Sequence, residues 1–145
     1  MRGLTPIVKK AAQLMSGIIF VYGIYIVTHG HLTPGGAFAG GILLAGAFIL
    51  LILAFGSEVI SLRKEETGSS LTESISILVA LMFAVLGIFL GTKVFFNNYL
   101  PKGELGELFS AGAIPVYNTL IGIEVAAAIV TIFLALIIFK EEEEQ

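Results

Sequence analysis

The stretch AAQLMSGIIFVYGIYIVTHGHLTPGGAFAGGILLAGAFILLILAFGS, residues 11–57, decides the fold, because its 47 residues contain no Asp, Glu, Lys or Arg. A hydrocarbon core about 30 Å thick takes about 20 apolar residues per helix. The stretch is therefore long enough for two crossings, with residues 29–33 as the hairpin between them. Further along, the uncharged runs 74–92, 108–123 and 125–139 supply two more. The reading expects spans over about 7–28, 34–56, 72–96 and 116–139. The apolar runs are continuous and do not alternate at period two, which excludes a transmembrane barrel. The expected fold class is all-α: a polytopic membrane protein forming a single four-helix transmembrane domain over residues 1–145.

The whole-chain composition agrees. Hydrophobic residues make up 57% of the 145 positions, charged residues 13%, and mean hydropathy is +0.98. A soluble domain carries about one quarter charged residues, so a water-soluble enzyme domain and a disordered chain are both excluded. A formal net charge of −3 offers no basic surface for nucleic acid. With no Cys, two His and Glu as the sole acidic residue type, no thiol nucleophile, disulfide, iron–sulfur cluster or ordinary metal site is expected. The first apolar run is too long for a signal peptide and closes on no small-residue cleavage site, so span one is expected to be retained.

Basic residues set the expected orientation. Arg2, Lys9, Lys10, Arg63, Lys64 and Lys140 fall on one side of the four spans, and Lys93 and Lys102 on the other. Both termini are thus expected inside, facing the cytoplasm. Tyr22, Tyr25, Tyr99 and Tyr117 fit an aromatic belt at the opposite face. Residues 57–71 read as a polar loop, and 97–115 as a longer loop lying partly along the surface.

Small residues mark where helices approach closely. Span two carries Gly36-xxx-Gly40 and, one residue over, Ala37-xxx-Gly41-xxx-Ala45; span three carries Gly87-xxx-Gly91. In lipid, association leans on backbone approach across such residues, so span two is expected to meet more than one neighbour, within the chain or in another subunit. Thr33 as N-cap and Pro34 at the first helical position read as a helix start, with Gly35 and Gly36 keeping it narrow. Gln13, Ser16, Thr28 and Thr131 are expected to hydrogen-bond between helices.

The segment Gly30-His31-Leu32-Thr33-Pro34-Gly35-Gly36-Ala37-Phe38-Ala39-Gly40-Gly41 resembles the Gly-His-x-x-Pro-Gly-Gly-Gly-Phe-x-Gly-Gly motif of the MrpB (MnhB) family. Gly30, His31, Pro34, Gly35, Gly36, Phe38, Gly40 and Gly41 match, and Ala37 stands where the third Gly usually is. Members of that family are small membrane subunits of multisubunit sodium/proton antiporters, with relatives in archaeal membrane-bound hydrogenase and sulfur-reductase complexes. The resemblance implies large complex-I-like partner subunits and other small ones, a cell-membrane location, Na+ and H+ as the ions, and no cofactor in this chain. It does not distinguish a free-standing antiporter from a redox-driven complex.

Three residues stand out as an ion-pathway candidate. Glu124 is the one formal charge well inside a span, about 12 Å below its boundary at Val116 at 1.5 Å per residue. A charged acid there costs about 2.5–3.5 kcal/mol and usually faces the bundle interior, pairs, or marks an ion path. Lys93, near the end of span three, is its expected pairing partner. His31 is a candidate proton relay at the mouth, or it simply ties down the turn. An accessory subunit that conducts ions, a purely structural or assembly subunit, and a small stand-alone transporter all remain open on the residues.

Overall fold

A computed structural model describes residues 4–56, 62–92, 94–104, 106–108 and 110–143. Four helices run over Pro6–Thr28 (α1), Gly36–Phe55 (α2), Leu62–Gly87 (α3) and Ile114–Glu143 (α4). A π-helical turn at Ile88–Thr92 closes α3, and no strand occurs among the described residues. All four helices are long and apolar enough to cross a membrane. At 20 residues, α2 spans about 30 Å, which matches a hydrocarbon core.

The helices form a row rather than a closed bundle. Helix α1 packs on α2, α2 on α4, and α4 on α3, with only a marginal touch between α1 and α4. Directions alternate along the sequence. Gly23 meets Leu44 and Val27 meets Gly40, so α1 and α2 are antiparallel. Gly41 meets Val125 while Ile52 clusters with Leu134 and Ile137, so α2 and α4 are parallel. One end of the row, the terminal end, carries the start of α1 and the end of α4. The other, the turn end, carries the α1–α2 turn and the α3–α4 loop.

A row leaves wide apolar faces uncovered, and in lipid that costs little, because the hydrophobic effect between helices is largely absent. Within its most apolar window α2 is 39% buried but α3 only 17%. Among the described residues the buried positions include the small Ala12, Ala37, Ala45, Ala47, Ala54, Ala84, Ala113 and Ala127 beside the large Ile26, Val27, Leu44, Ile52, Tyr117, Leu134 and Ile137, of which Leu134 is fully buried. Close backbone approach across small residues holds the layer together with these few large side chains.

Several expected boundaries move. Helix α3 begins at Leu62, ten residues before the apolar run at residue 72. Residues 62–71, expected as part of a polar loop, are helical: residues 62–66 are good helix formers, and the hydroxyls that follow bond back to carbonyls of the same helix. Ser69 donates to the Glu66 carbonyl (3.0 Å), Thr72 to Gly68 (2.9 Å) and Ser74 to Ser70 (3.0 Å). Helix α2 begins at Gly36, not at Pro34, and its N-cap is Gly35 with no side-chain cap bond. The Thr33 hydroxyl is spent backwards, donating to the His29 carbonyl (3.2 Å) to close the turn after α1. Gly35 at φ 136° and Gly36 at φ 76° then reverse the chain through conformations that residues with a Cβ rarely adopt.

The α3–α4 loop is pinned by Asn98, which donates from Nδ2 to the Ala111 carbonyl (3.0 Å) and accepts at Oδ1 from the Ala113 N–H (2.8 Å). Tyr99 donates to the Phe83 carbonyl (3.3 Å). The returning chain passes over Gly87, where an added Cβ would lie 3.2 Å from the Asn97 nitrogen. Gly87 therefore admits a loop, not a neighbouring helix as its spacing with Gly91 suggested. Gly91 itself lies in the π turn.

Candidate functional site

The glycines of residues 30–41 form the tightest seam of the molecule. A Cβ on Gly40 would run into the Val27 side chain and come within 2.9 Å of the Val27 nitrogen and 3.0 Å of the Gly23 carbonyl. On Gly41 it would sit 2.7 Å from the Gly122 carbonyl and 2.8 Å from Val125 Cβ. The two adjacent ridges of α2 thus serve two internal neighbours, Gly40 facing α1 and Gly41 facing α4. Gly122 completes the junction, since a Cβ there would meet Val27 at 2.8 Å. Val27 is clasped between two helices where only hydrogen atoms face it.

Above this junction the α1–α2 turn stacks on the start of α4. A Cβ on Gly30 would lie 2.7 Å from Gly36 Cα and 3.0 Å from Asn118 Nδ2. His29 caps α1, its N–H donating to the Tyr25 carbonyl (2.9 Å) and its ring stacking on Tyr25 at 4.2 Å. His31 is half-buried, and both ring nitrogens are buried without a hydrogen-bond partner. It does not tie down backbone groups; the Thr33 hydroxyl and the His29 carbonyl do that. Pro34 and Phe38 are exposed, so neither packs inside the layer.

Glu124 is half-buried on α4. Its face follows from the two contacts that set the α3–α4 register. Tyr117 packs edge-on to Phe83 with centroids 5.6 Å apart, and the Thr131 hydroxyl donates to Ser69 Oγ at 2.8 Å. Positions 117 and 131 on α4 are as far apart as 69 and 83 on α3, and the helices are antiparallel. The midpoints, Glu124 and Ser76, therefore face each other across the seam. On α3 the seam runs through Glu66, Ser69, Glu73, Ser76, Ala80 and Phe83, alternating steps of three and four as packed helices require.

This seam lies on the far side of α4 from the histidine turn, so the structure does not bring His31 and Glu124 together. Lys93, the expected partner of Glu124, lies outside the described residues. Among the described residues Glu124 makes no hydrogen bond or ion pair. Two other expectations change. Ser16 donates to Gln13 (3.0 Å) and Thr28 to Ile24 (3.0 Å), carbonyls of their own helix, so only Thr131 of the four polar span residues bonds between helices. Tyr117 is no belt residue but is 7% exposed, stacked on Phe96 at 4.4 Å. Ser76 is the seam residue that sequence reasoning passed over, although the three–four spacing from Glu66 to Phe83 carried the signal.

Comparisons with known proteins agree with this architecture. Residues 7–131 match the family described as domain related to MnhB subunit of Na+/H+ antiporter. An uncharacterized protein of Methanocaldococcus jannaschii is 37% identical over 134 residues, covering 88% of this chain and 50% of the relative. A Staphylococcus aureus protein named for antiporter subunit mnhB2 is 31% identical over 135 residues, covering 90% of this chain and 92% of the relative. A chain of the membrane-bound sulfane sulfur reductase, an archaeal respiratory membrane complex, superposes with a TM-score of 0.73 at 33% identity, covering 89% of this chain and 56% of that one. The chain thus spans about half the length of the archaeal proteins it matches and nearly the full length of the staphylococcal one. With the match running through all four helices, the chain belongs to the family of domains related to the MnhB subunit of Na+/H+ antiporters.

Proposed function

We propose that this chain is an accessory membrane subunit of a multisubunit cation/proton antiporter-type assembly in the cell membrane, with both termini on the cytoplasmic side. It works beside large complex-I-like subunits and other small ones, carrying no catalytic centre or cofactor of its own. The assembly is free-standing or part of a respiratory redox complex. Family membership and the likeness to a respiratory-complex chain support this reading.

Within that assembly we assign Glu124 the role of a titratable step. The observation that carries it is a half-buried carboxyl on a helix–helix seam with no ion pair among the described residues. An acid at that depth on a helix–helix seam is of the kind that pairs or marks an ion path. Glu124→Gln is expected to leave assembly intact and to lower cation-coupled proton flux in reconstituted complex. Wild-type flux at every pH would leave Glu124 a packing residue. A purely structural role draws support from the glycine junction of α1, α2 and α4, and that same flux result would favour it.

A further inference from the structure

The row of helices has two edges, α1 and α3, and they are not alike. The outer face of α3 presents Leu71, Ile75, Leu78 and Met82, each more than half exposed, a purely apolar surface suited to lipid chains. The outer face of α1 holds an open groove of about 820 Å³, lined by residues of that helix between Gln13 and Tyr25. Its apolar ridge, Ile7, Ala11, Leu14, Ile18, Val21 and Tyr25, is exposed throughout. The ridge advances in alternating steps of four and three, the spacing with which one helix packs along another.

Two residues on this face do not suit lipid. Gln13 is exposed, and its side-chain amide has no hydrogen-bond partner among the described residues. Hydrocarbon offers an amide none. Gly17 is the other. A Cβ on Gly23, Gly40, Gly41 or Gly122 would crowd a neighbouring helix of the chain, whereas a Cβ on Gly17 meets nothing within 4 Å. Glycine weakens the helix that contains it, and no contact inside the chain calls for this one. The charges nearby say what kind of neighbour fits. Lys9 turns toward α2, its Nζ 5.5 Å over the Phe55 ring. Lys10, one turn from Gln13 on the groove side, is exposed and pairs with no carboxylate among the described residues.

From Lys10 to Tyr25 is fifteen residues of helix, about 22 Å, most of the thickness of a hydrocarbon core. The occupant is therefore a membrane-crossing helix and not a loop. A second copy of this chain, turned about a twofold axis along the membrane normal, would set Lys10 against Lys10, and like charges in register repel. We infer that the α1 groove seats a transmembrane helix of a different subunit. That helix carries an acidic residue at the level of Lys10, a hydrogen-bonding side chain at Gln13 and a bulky apolar side chain over Gly17. Glycine there lets the two backbones approach, and the Gln13 amide both donates and accepts. The inference rests on this chain working within a multisubunit assembly, and adds the face by which it docks and the chemistry of what docks there.

The test pairs two glycines. Gly17→Leu and Gly46→Leu each add a side chain where a Cβ meets nothing within 4 Å, but Gly46 lies on α2, away from the groove. The complex is solubilised from native membranes, and retention of this chain in it is read on native gels. The groove requires Gly17→Leu to insert at the wild-type level and be lost from the complex, while Gly46→Leu stays in it. Retention of Gly17→Leu, or equal loss of both, overturns the inference. Lys10→Glu must lower retention and Lys10→Arg must not; unchanged retention in Lys10→Glu overturns the acidic partner. A benzophenone-bearing residue is then placed at Ile18, and for comparison at Leu78, in the otherwise wild-type complex. After illumination the crosslinked species are identified by mass. Position 18 is expected to capture a membrane-spanning segment of another subunit with an Asp or Glu about two turns toward the terminal end, and position 78 lipid alone. Capture of a second copy of this chain, or of lipid alone, from position 18 overturns the inference, and this result decides if Gly17→Leu fails to insert. A wild-type chain that migrates outside any complex would overturn the subunit reading itself, whereas a negative groove result in an intact complex leaves that reading standing.

Discussion

Adding a single methyl group at Gly41 is expected to open the joint between α2 and α4. The new Cβ would lie 2.7 Å from the Gly122 carbonyl oxygen, 2.8 Å from Val125 Cβ and 2.9 Å from Val125 Cγ1, where ordinary contacts begin at 3.4 Å. Neither obstacle is the loose end of a flexible side chain: one is backbone and the other is a β-branched carbon tied to it. The helices must therefore part by about 0.7 Å, the difference between 2.7 and 3.4 Å. A rigid shift of that size weakens the contacts of Ala37, Ala45 and Gly122 along the same joint, because a gap of half an ångström or more already forfeits a quarter or more of each contact. Overpacking of this kind costs about 1–3 kcal/mol. The control is Gly46→Ala on the same helix, where a Cβ meets nothing within 4 Å and the change to a better helix former gains up to about 1 kcal/mol. Retention of this chain in the solubilised complex, followed on native gels against temperature, should fall for Gly41→Ala and hold or rise for Gly46→Ala. Matching melting behaviour for the two variants would refute the close α2–α4 approach.

The turn offers a similar contrast. Gly35→Val is expected to destabilise by about 1–3 kcal/mol because a side chain at φ 136° is strained, whereas Pro34→Ala, at an exposed position, should be mild; equal effects in the same assay would count against the observed helix start. Asn98→Ala removes both bonds that hold the α3–α4 loop, about 1 kcal/mol each, and should make that loop the first site of protease cleavage in the detergent-solubilised complex. Thr131→Val deletes the hydroxyl pair with Ser69 and should cost about 0.6 kcal/mol, the usual worth of an interhelical bond in a membrane. A cost several times larger would mean the pair carries more of the α3–α4 contact than one hydrogen bond can.

Hydropathy alone determined that the chain is all-helical with four membrane-capable segments. Residues that must leave water do so in blocks one bilayer thick, and that property is local to each block. The glycine motif at residues 30–41 likewise carried the family and the close approach of helices, since a missing side chain announces a crowded backbone wherever it stands. Direction and pairing were not local. That Gly40 faces α1 while Gly41 faces α4 depends on where neighbouring helices sit, and adjacent helix positions differ by only about 100° of rotation. The start of α2 falls at Gly36 and not at Pro34: the Thr33 hydroxyl, which as an N-cap would accept from a backbone N–H, instead donates to the His29 carbonyl, a choice that propensity does not rank. Glu124 could be named from one line of sequence, but not its face. Only the antiparallel register of α3 on α4, set by Phe83 with Tyr117 and Ser69 with Thr131, puts Ser76 opposite it and turns it away from His31. Helices in lipid lack a hydrophobic drive to choose their partners, so that choice rests on close-range fit, which appears only when the backbones are already together.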